Sequence, residues 1–288
     1  MTKEERIEVF KETLACAKKW KYTNPDSGEA TELFREDYNM HYNDAEIYNR
    51  NLFQKLDKKL FKRFEHTDVQ VINKDCLYVA EELVNIEGLY PAVLNMASFK
   101  RPGGGVKTGS AAQEENLCRR TNLYPSIEKF ADQKRKVHYP LDINFGAIYS
   151  PVVSVFRLSE ETDYQFMMLP FTVDVISCAA IKNPKLNADG TLEEKSRDIL
   201  RNKIRTIFNV ALYWKNDSLV LGAFGCGAYG TPPEEMAKLF KEVMNERPYN
   251  HAFKKIVFAV LDDHNAHREH NPEGNFIPFK RILSQKED

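Results

Sequence analysis

Apolar residues recur every three or four positions near the start of the chain, a spacing that predicts a helix with one buried face. These positions are Ile7, Phe10, Leu14 and Ala17. No convincing strand pattern occurs over residues 1–65, which we interpret as a helical N-terminal extension. The pattern then changes, and residues 66–288 are predicted to form the main domain.

Short runs rich in β-branched residues alternate with helical patterns through the main domain. Such alternation is typical of an α/β fold in which helices cover both faces of a sheet. The predicted strands span residues 69–73, 92–96, 148–156, 166–175, 218–224 and 256–261. The predicted helices lie near residues 76–87, 114–123, 193–214, 232–246 and 277–285. Ligands of open α/β sheets bind beyond the carboxyl ends of the strands, so we expect the site there.

The charged residues nearly balance, with 41 Lys and Arg against 42 Asp and Glu. No overall positive field therefore exists to bind a nucleic-acid backbone through counterion release, and direct DNA binding is not expected. The sequence lacks an apolar stretch of roughly 20 residues that could cross a bilayer, and it lacks an apolar signal segment. We expect a monomer without membrane contact in the cytoplasm, or in the nucleus if the source is eukaryotic. The 5 cysteines are odd in number and widely spaced, which favours reduced thiols over disulfides or a zinc site.

Eight of the 13 glycines lie in two short segments, each directly after a predicted strand and before a predicted helix. We call residues 103–109 the first glycine loop and residues 222–230 the second glycine loop. Glycine permits positive φ and lets successive backbone N–H groups converge on an anion. The two loops predict two phosphates, or one diphosphate held between them, and tight turns are the alternative for either loop alone. The glycines are Gly103, Gly104, Gly105, Gly109, Gly222, Gly225, Gly227 and Gly230.

Two familiar nucleotide-binding motifs fit these loops poorly. A P-loop requires Gly immediately before Lys, whereas Val106 precedes Lys107. The second glycine loop has the G-x-G-x-x-G spacing of a Rossmann fold, but it lies late in the chain instead of after the first strand. Neither a nucleoside triphosphatase nor a dinucleotide-binding domain is therefore expected.

Gln113, Glu114 and Glu115 open the helix predicted after the first glycine loop. Consecutive helical side chains diverge by about 100°. Glu114 and Glu115 therefore cannot flank one bond from opposite sides, as in an ordinary two-carboxylate glycosidase, and different roles are expected for them. Acidic residues that stabilise the helix dipole are the alternative. Beside a phosphate cradle, a carboxylate could instead contact the sugar attached to that phosphate.

The segment from Val93 to Gly105, which ends in Lys-Arg-Pro-Gly-Gly-Gly, resembles the signature of microbial-type poly(ADP-ribose) glycohydrolases when it is followed by Gln113-Glu114-Glu115. The second glycine loop, with Gly225-Cys226-Gly227-Ala228-Tyr229-Gly230, is similar to the diphosphate loop of the same family. The resemblance covers roughly residues 69–261, together with an N-terminal helical extension of the kind this branch carries.

The resemblance implies a macrodomain-like three-layer α/β/α sandwich with a mixed sheet. It also implies hydrolysis of the ribose–ribose O-glycosidic bond of poly(ADP-ribose), with ADP-ribose as product and no cofactor or metal. The substrate would be poly(ADP-ribose) or an ADP-ribosylated protein. A mono-ADP-ribosyl hydrolase and a non-catalytic ADP-ribose-binding macrodomain are the alternatives. Glu115 disfavours the second of these, because binding alone would not require Gln-Glu-Glu beside the cradle.

The resemblance also assigns roles by position. Glu115 would be the catalytic acid/base, and Glu114 would bind ribose hydroxyls beside the scissile bond. Tyr229, where Phe is more frequent, would lie against the distal ribose, with Asn95 nearby. Asp75 matches the aspartate that accepts the adenine amino group, and a helix N-cap is an equal alternative for it. The remaining expected substrate-binding residues are Gly103, Gly104, Gly105, Val106, Gln113, Gly225, Cys226, Gly227 and Ala228.

Three histidines near the end of the chain are spaced by three residues, which raises the question of a metal site. They are His264, His267 and His270. No H-E-x-x-H motif is present, and polar residues surround all three. We interpret the segment as solvent-exposed and polar.

Overall fold

A seven-stranded mixed sheet forms the centre of the computed structural model, which describes residues 1–33, 44–262 and 266–284. The strand order is β3-β6-β7-β5-β8-β9-β4. The strands of this sheet are β3 (Glu46–Tyr48), β4 (Asp68–Ile72), β5 (Pro91–Met96), β6 (Ala147–Arg157), β7 (Phe166–Cys178), β8 (Ser218–Leu221) and β9 (Lys255–Ala259). Neighbours from β7 to β4 run parallel, and β6 and β3 join antiparallel at one edge.

Helices cover both faces of the sheet. The helices are α1 (Lys3–Lys19), α2 (Cys76–Asn85), α3 (Gln113–Arg120), α4 (Leu123–Glu128), α5 (Glu194–Tyr213), α6 (Pro233–Met244) and α7 (Phe276–Leu283). Side chains of α1 to α4 pack into one core with one face of the sheet, and those of α5 to α7 pack into a second core with the other face. The expected mixed sheet and three-layer arrangement are confirmed.

The central strand β5 shows how the sequence sets up these two cores. Ala92 and Leu94 point into the core with α5 to α7, and Val93 points into the core with α1 to α4. All three are buried, because helices cover both faces of a parallel strand. The strand therefore carries a continuous apolar run, which made it recognisable in the sequence.

The expectation of no strand in residues 1–65 is wrong. β1 (Lys21–Thr23) pairs with β2 (Ala30–Glu32), and β3 forms an edge of the main sheet against β6. Each of these strands has 3 residues, too few to produce a recognisable alternation. The division of the chain at residue 65 stays a prediction.

The expected N-terminal helix is present as α1, and it packs on the helix that carries the paired glutamates. Thr2 and Glu5 form a capping box at its start. The Thr13 hydroxyl donates to the Arg119 carbonyl at 2.6 Å, and Arg119 Nε donates to the Arg6 carbonyl at 3.2 Å. Buried side-chain contacts therefore fix α1 against α3.

Candidate active site

A cleft of about 780 Å³ opens at the carboxyl ends of β5, β8 and β9, where Met96, Leu221 and Ala259 line it. Parts of both glycine loops and the first turns of α2 and α3 complete its walls. Its volume lies within the roughly 300–1,000 Å³ typical of small-molecule sites. The cleft therefore lies where the sequence predicts the site, beyond the carboxyl ends of the strands.

The backbone of the first glycine loop binds the two glutamates of α3. The Gly103 N–H donates to Glu114 Oε1 at 3.0 Å, and the Gly105 N–H donates to Glu115 Oε1 at 2.7 Å. The Ser98 N–H, just before the loop, donates to Glu114 Oε2 at 2.7 Å. The expectation that this loop directs its N–H groups at a phosphate is therefore wrong, because carboxylates of the chain itself already accept from two of them.

The close approach of these carboxyl groups requires glycine at position 104. Gly104 has φ +53°, and a Cβ built on it would collide with Glu115 Oε1 and lie 2.9 Å from Glu114 Oε2. A side chain at this position would therefore displace at least one carboxyl group. The loop and the two glutamates form one unit of structure.

The two carboxyl groups have different environments. Glu114 is 3% exposed, and both of its oxygens accept backbone N–H groups. Glu115 is 6% exposed, and its Oε2 is buried without a hydrogen-bond partner among the described residues. Both residues line the cleft. Glu115 therefore has one carboxyl oxygen that no group among the described residues binds.

Burial also changes the acidity of Glu114. Removal from water, helped by the negative charge of Glu115, raises the pKa of Glu114 to about 8. The N–H groups of Ser98 and Gly103 oppose this shift because they stabilise the carboxylate. Glu114 is therefore mostly protonated at neutral pH.

Gln113 and Asn95 support the glutamates from behind. Gln113 Oε1 accepts from the Met96 N–H at 2.9 Å and its Nε2 donates to the Leu94 carbonyl at 2.8 Å, which ties α3 to β5. Asn95 Nδ2 donates to Ser177 Oγ at 2.9 Å, and the Asn95 amide also interacts with Glu114. Asn95 is fully buried and does not line the cleft. Its expected place against a ribose is therefore corrected to a place beneath Glu114.

The second glycine loop presents free backbone donors to the cleft. Gly225 has φ +77°, and the Gly225 carbonyl accepts from the Thr231 N–H at 3.0 Å, which closes the turn. Over residues 225–229, four N–H groups have no acceptor in the described part of the chain, those of Gly225, Gly227, Ala228 and Tyr229. All four residues line the cleft. This loop, unlike the first, can offer several N–H groups to an anion.

Tyr229 joins the two sides of the cleft. Its hydroxyl accepts from the Phe99 N–H at 3.0 Å, close to the start of the first glycine loop. Burial raises the pKa of Tyr229, so the phenol remains protonated at physiological pH. The hydroxyl that distinguishes this residue from Phe is therefore engaged within the protein, and the ring remains in the cleft wall.

Asp75 has the N-cap geometry that the sequence left open. Its Oδ1 accepts from the N–H groups of Leu77 and Tyr78 at the start of α2, and from Arg120 at 2.8 Å. Asp75 also lines the cleft, and all of these hydrogen bonds fall on Oδ1. The second carboxylate oxygen is therefore not engaged by the residues that hold the first, so the N-cap role and a ligand contact are compatible.

Ten of the expected site residues lie in the cleft wall and four do not. Those in the wall are Asp75, Gly104, Gly105, Gln113, Glu114, Glu115, Gly225, Gly227, Ala228 and Tyr229. Those outside it are Asn95, Gly103, Val106 and Cys226. Val106 and Cys226 point into the two hydrophobic cores, so direct ligand contacts by their side chains are not expected from this structure.

Sequence reasoning missed the contribution of α1 to the cleft. Lys3 and Arg6 line it, and the backbone of Lys3 lies against Gly109 at the end of the first glycine loop. Arg101 also lines the cleft. No local signal in the sequence places α1 there, because the contact joins segments about one hundred residues apart.

The histidine segment is only partly as expected. His264 lies outside the described residues, and His267 is exposed. His270 is half-buried, and its Nε2 lies 2.9 Å from the Cys226 carbonyl of the second glycine loop, which corrects its expected exposure. Over residues 1–33, 44–262 and 266–284, no group of three or more His, Cys, Asp or Glu side chains is arranged to hold a metal ion.

None of the helices in the described segments has the length and apolar character needed to span a bilayer.

Comparison with protein families matches residues 10–158, just over half of the chain, to the family described as microbial-type PARG, catalytic domain. Comparison with curated proteins gives no match.

Solved structures of bacterial enzymes match nearly the whole chain. The structure of poly(ADP-ribose) glycohydrolase (PARG) from Thermomonospora curvata is 27% identical and gives a TM-score of 0.77, covering 97% of this chain and 100% of that one. The same enzyme bound to the inhibitor ADP-HPD gives 0.74 at 27% identity, covering 96% and 99%. PARG from Deinococcus radiodurans in complex with ADP-ribose is 28% identical, with a TM-score of 0.65, and covers 84% and 94%.

Substitution of Gly104 by Ala should reduce activity far more than stability. The added Cβ displaces the carboxyl group of Glu115, and a displacement near 1 Å lowers turnover by roughly 100-fold. Gly88→Ala is the matched control, because Gly88 also has positive φ (+63°) but its Cβ would meet no atom within 4 Å. Melting temperatures and initial rates of both variants provide the measurement. Equal rates for the two variants would contradict the close fit at Gly104.

The raised pKa of Glu114 should make folding less favourable as pH rises. The folded protein retains this proton up to about pH 8, whereas the unfolded chain releases it near the ordinary value of 4.5. The stabilisation is complete below about pH 4.5 and is lost as pH approaches 8. Relative to Glu114→Gln, the wild-type free energy of unfolding should fall by at most about 1.4 kcal/mol per pH unit in this window. Urea denaturation at pH 5, 6.5 and 8 measures the difference, and parallel pH profiles would refute it.

Proposed function

Because the chain belongs to the microbial-type poly(ADP-ribose) glycohydrolase family, we propose that it hydrolyses the ribose–ribose O-glycosidic bond of poly(ADP-ribose) and releases ADP-ribose. The observation that carries this proposal is Glu115, which lines the cleft and whose carboxyl group is held through Oε1 while its buried Oε2 has no partner among the described residues. A non-catalytic ADP-ribose-binding protein would have no use for such a group.

The second glycine loop binds the diphosphate of the ADP-ribose unit. Its four free N–H groups act as neutral donors, and anions bind readily to such runs of backbone amides. The adenine end extends towards α2, where the second oxygen of Asp75 accepts the amino group. The distal ribose lies between the ring of Tyr229 and the two glutamates. The loop thus fixes the phosphates while the opposite wall of the cleft carries the reacting groups.

The reaction breaks the bond between C1″ of the bound unit and the ribose oxygen of the next unit. In its protonated form, Glu115 donates the carboxyl proton to that oxygen, which leaves with the bonding electron pair as the C1″ centre becomes oxocarbenium-like. A water molecule then forms the new C1″–O bond and transfers a proton to the Glu115 carboxylate. Glu115 is thereby restored, and the sum of the two steps is hydrolysis.

Glu114 binds the ribose hydroxyls beside this bond. Its position is defined by N–H groups on both oxygens and by Asn95 below it, so the ribose meets a rigid partner. Because Glu114 is mostly protonated at neutral pH, it can donate a hydrogen bond as well as accept one. Gln113 acts indirectly by fixing α3 to β5.

The substrate is a polymer or an ADP-ribosylated protein, and we propose that the enzyme works as a monomer in the cytoplasm. The 5 cysteines all have free thiols, consistent with a reducing compartment.

Substitution of Glu115 by Gln should abolish hydrolysis while leaving the fold intact. Gln retains an oxygen for the Gly105 N–H, but it can neither give the proton to the leaving oxygen nor take one from water. The rate should fall by about 10⁴-fold, the upper end of what acid–base assistance contributes. Release of ADP-ribose from purified polymer, calorimetric ADP-ribose binding and the melting temperature provide the readouts.

The control for this prediction is Glu114→Gln. Both oxygens of Glu114 accept N–H groups, so an amide must direct its NH₂ at one of these donors and should lower the melting temperature more than Glu115→Gln does. A folded Glu115→Gln variant within a few-fold of the wild-type rate would eliminate the catalytic assignment. A wild type that binds ADP-ribose but releases none from polymer would favour the binding protein.

Two substitutions at Tyr229 should separate the ring from the hydroxyl. Tyr229→Phe retains the ring and loses one hydrogen bond to the Phe99 N–H, so its rate should fall only about 2- to 10-fold. Tyr229→Ala also removes the surface against the distal ribose, and its kcat should fall by roughly 100-fold, more than its affinity for ADP-ribose. Steady-state kinetics and calorimetry on both variants test this. Full activity in Tyr229→Ala would show that the ring does not orient the substrate.

A further inference from the structure

Two cations at the edge of the cleft have no partner among the residues that the structure describes. Lys3 and Arg101 line the cleft, are exposed, and make no ion pair or side-chain hydrogen bond with the described residues. The other two cations of the wall are already paired, Arg6 with Glu160 and Lys74 with Glu82. Lys3 and Arg101 therefore remain available for an anion outside the protein.

Lys3 lies at the end of the first glycine loop that follows Gly105, the residue that binds Glu115. Its backbone contacts Gly109, and the residue after Gly109, Ser110, packs against Gly105, whose N–H holds Glu115. Tyr229 instead contacts the other end of this loop, through Phe99. Lys3 and the second glycine loop thus contact opposite ends of the first glycine loop.

The backbone that carries Lys3 is held firmly. Arg6 donates to both carboxylate oxygens of Glu160, and the Arg6 carbonyl accepts from the buried Arg119. Arg119 also donates to the Ser110 carbonyl, so one buried side chain links α1 to the end of the first glycine loop. The position of Lys3 relative to Glu115 is therefore fixed by the fold.

Nearby acidic groups do not neutralise Lys3. Glu5 on the same turn accepts from the Thr2 N–H as part of the capping box, and Glu4 does not line the cleft. Glu160 is bound to Arg6. Lys3 therefore contributes a positive charge to the rim on the Glu115 side of the cleft.

We propose that Lys3 binds the phosphates of the polymer unit on the leaving side of the scissile bond. The inference rests on the proposed function, in which Glu115 protonates the first oxygen of that unit. The leaving-side unit therefore begins beside Glu115 and extends along the part of the cleft that Lys3 lines. A diphosphate there would give Lys3 the negatively charged partner that it lacks among the described residues. The N-terminal extension is thus a subsite for polymer, which free ADP-ribose does not reach.

The test compares Lys3→Glu with Lys11→Glu. Both substitutions reverse one charge on α1, but Lys11 does not line the cleft and, among the described residues, pairs with exposed Glu8. Each is made in the Glu115→Gln protein, and binding of short purified ADP-ribose oligomers and of free ADP-ribose is measured at two salt concentrations. The same pair is made in the active protein, and kinetics are recorded with polymer and with an ADP-ribose conjugate whose leaving group is an uncharged phenol.

Lys3→Glu should weaken oligomer binding by roughly 5- to 10-fold at low salt and less at high salt, as expected for an exposed cation near a phosphate. Lys3→Glu should also raise KM for polymer by roughly 5- to 10-fold. Its kcat, its affinity for ADP-ribose and its turnover of the phenol conjugate should stay within about 2-fold of wild type, as they should in Lys11→Glu, because exposed ion pairs contribute little. Equal oligomer binding by the two variants would overturn the subsite. So would a loss of ADP-ribose affinity in Lys3→Glu as large as its loss of oligomer affinity. A wild type without hydrolysis would overturn the proposed function, whereas selective loss of oligomer binding would still support the subsite.

Discussion

The hydrogen bonds from the backbone of the first glycine loop to two adjacent carboxyl groups are the constraint on which the site depends. Gly103 and Gly105 donate to Glu114 and Glu115, and Gly104 between them leaves the space that both carboxyl groups occupy. Adjacent residues on a helix diverge, yet a tightly curved loop can reach both. The loop thus turns a pair of neighbouring glutamates into two differently held groups, one bound on both oxygens and one bound on a single oxygen.

The helix that carries these glutamates is itself fixed from several directions. Gln113 ties its start to β5, and the buried Arg119 and Arg120 tie its end to α1, the first glycine loop and Asp75. Leaving buried arginines without partners is costly, so the hydrogen bonds that Arg119 and Arg120 make restrict the helix to one position. The N-terminal extension is therefore a structural part of the cleft.

The sequence was most informative where chemistry is local. Glu114, Glu115, Gly104 and the second glycine loop could be located because each follows a recognisable strand and belongs to a short motif. The fold class followed from the alternation of apolar runs, since strands such as β5 are buried on both faces.

Irregular backbone limited the rest. A loop has no period that tells which residues face outwards, so Val106 and Cys226 were expected in the site although they point into the cores. Strands of 3 residues such as β3 are too short to show alternation. Lys3 approaches the cleft through contacts between distant segments, which no local pattern encodes. The predicted partner of the first glycine loop was wrong for a related reason, because a glycine loop can cradle a carboxylate as readily as a phosphate.

The raised pKa of Glu114 links the binding of an anionic ligand to the protonation of the cleft. Under the proposed function, a diphosphate arrives at a site where one of two carboxyl groups is mostly neutral at pH 7, which lessens electrostatic repulsion. The added negative charge favours the protonated form of Glu114 still more, so above pH 8 the arrival of substrate draws a proton from the solvent. Occupancy of the cleft and protonation of Glu114 are thereby linked, and the affinity for an anionic ligand declines as the solution becomes alkaline.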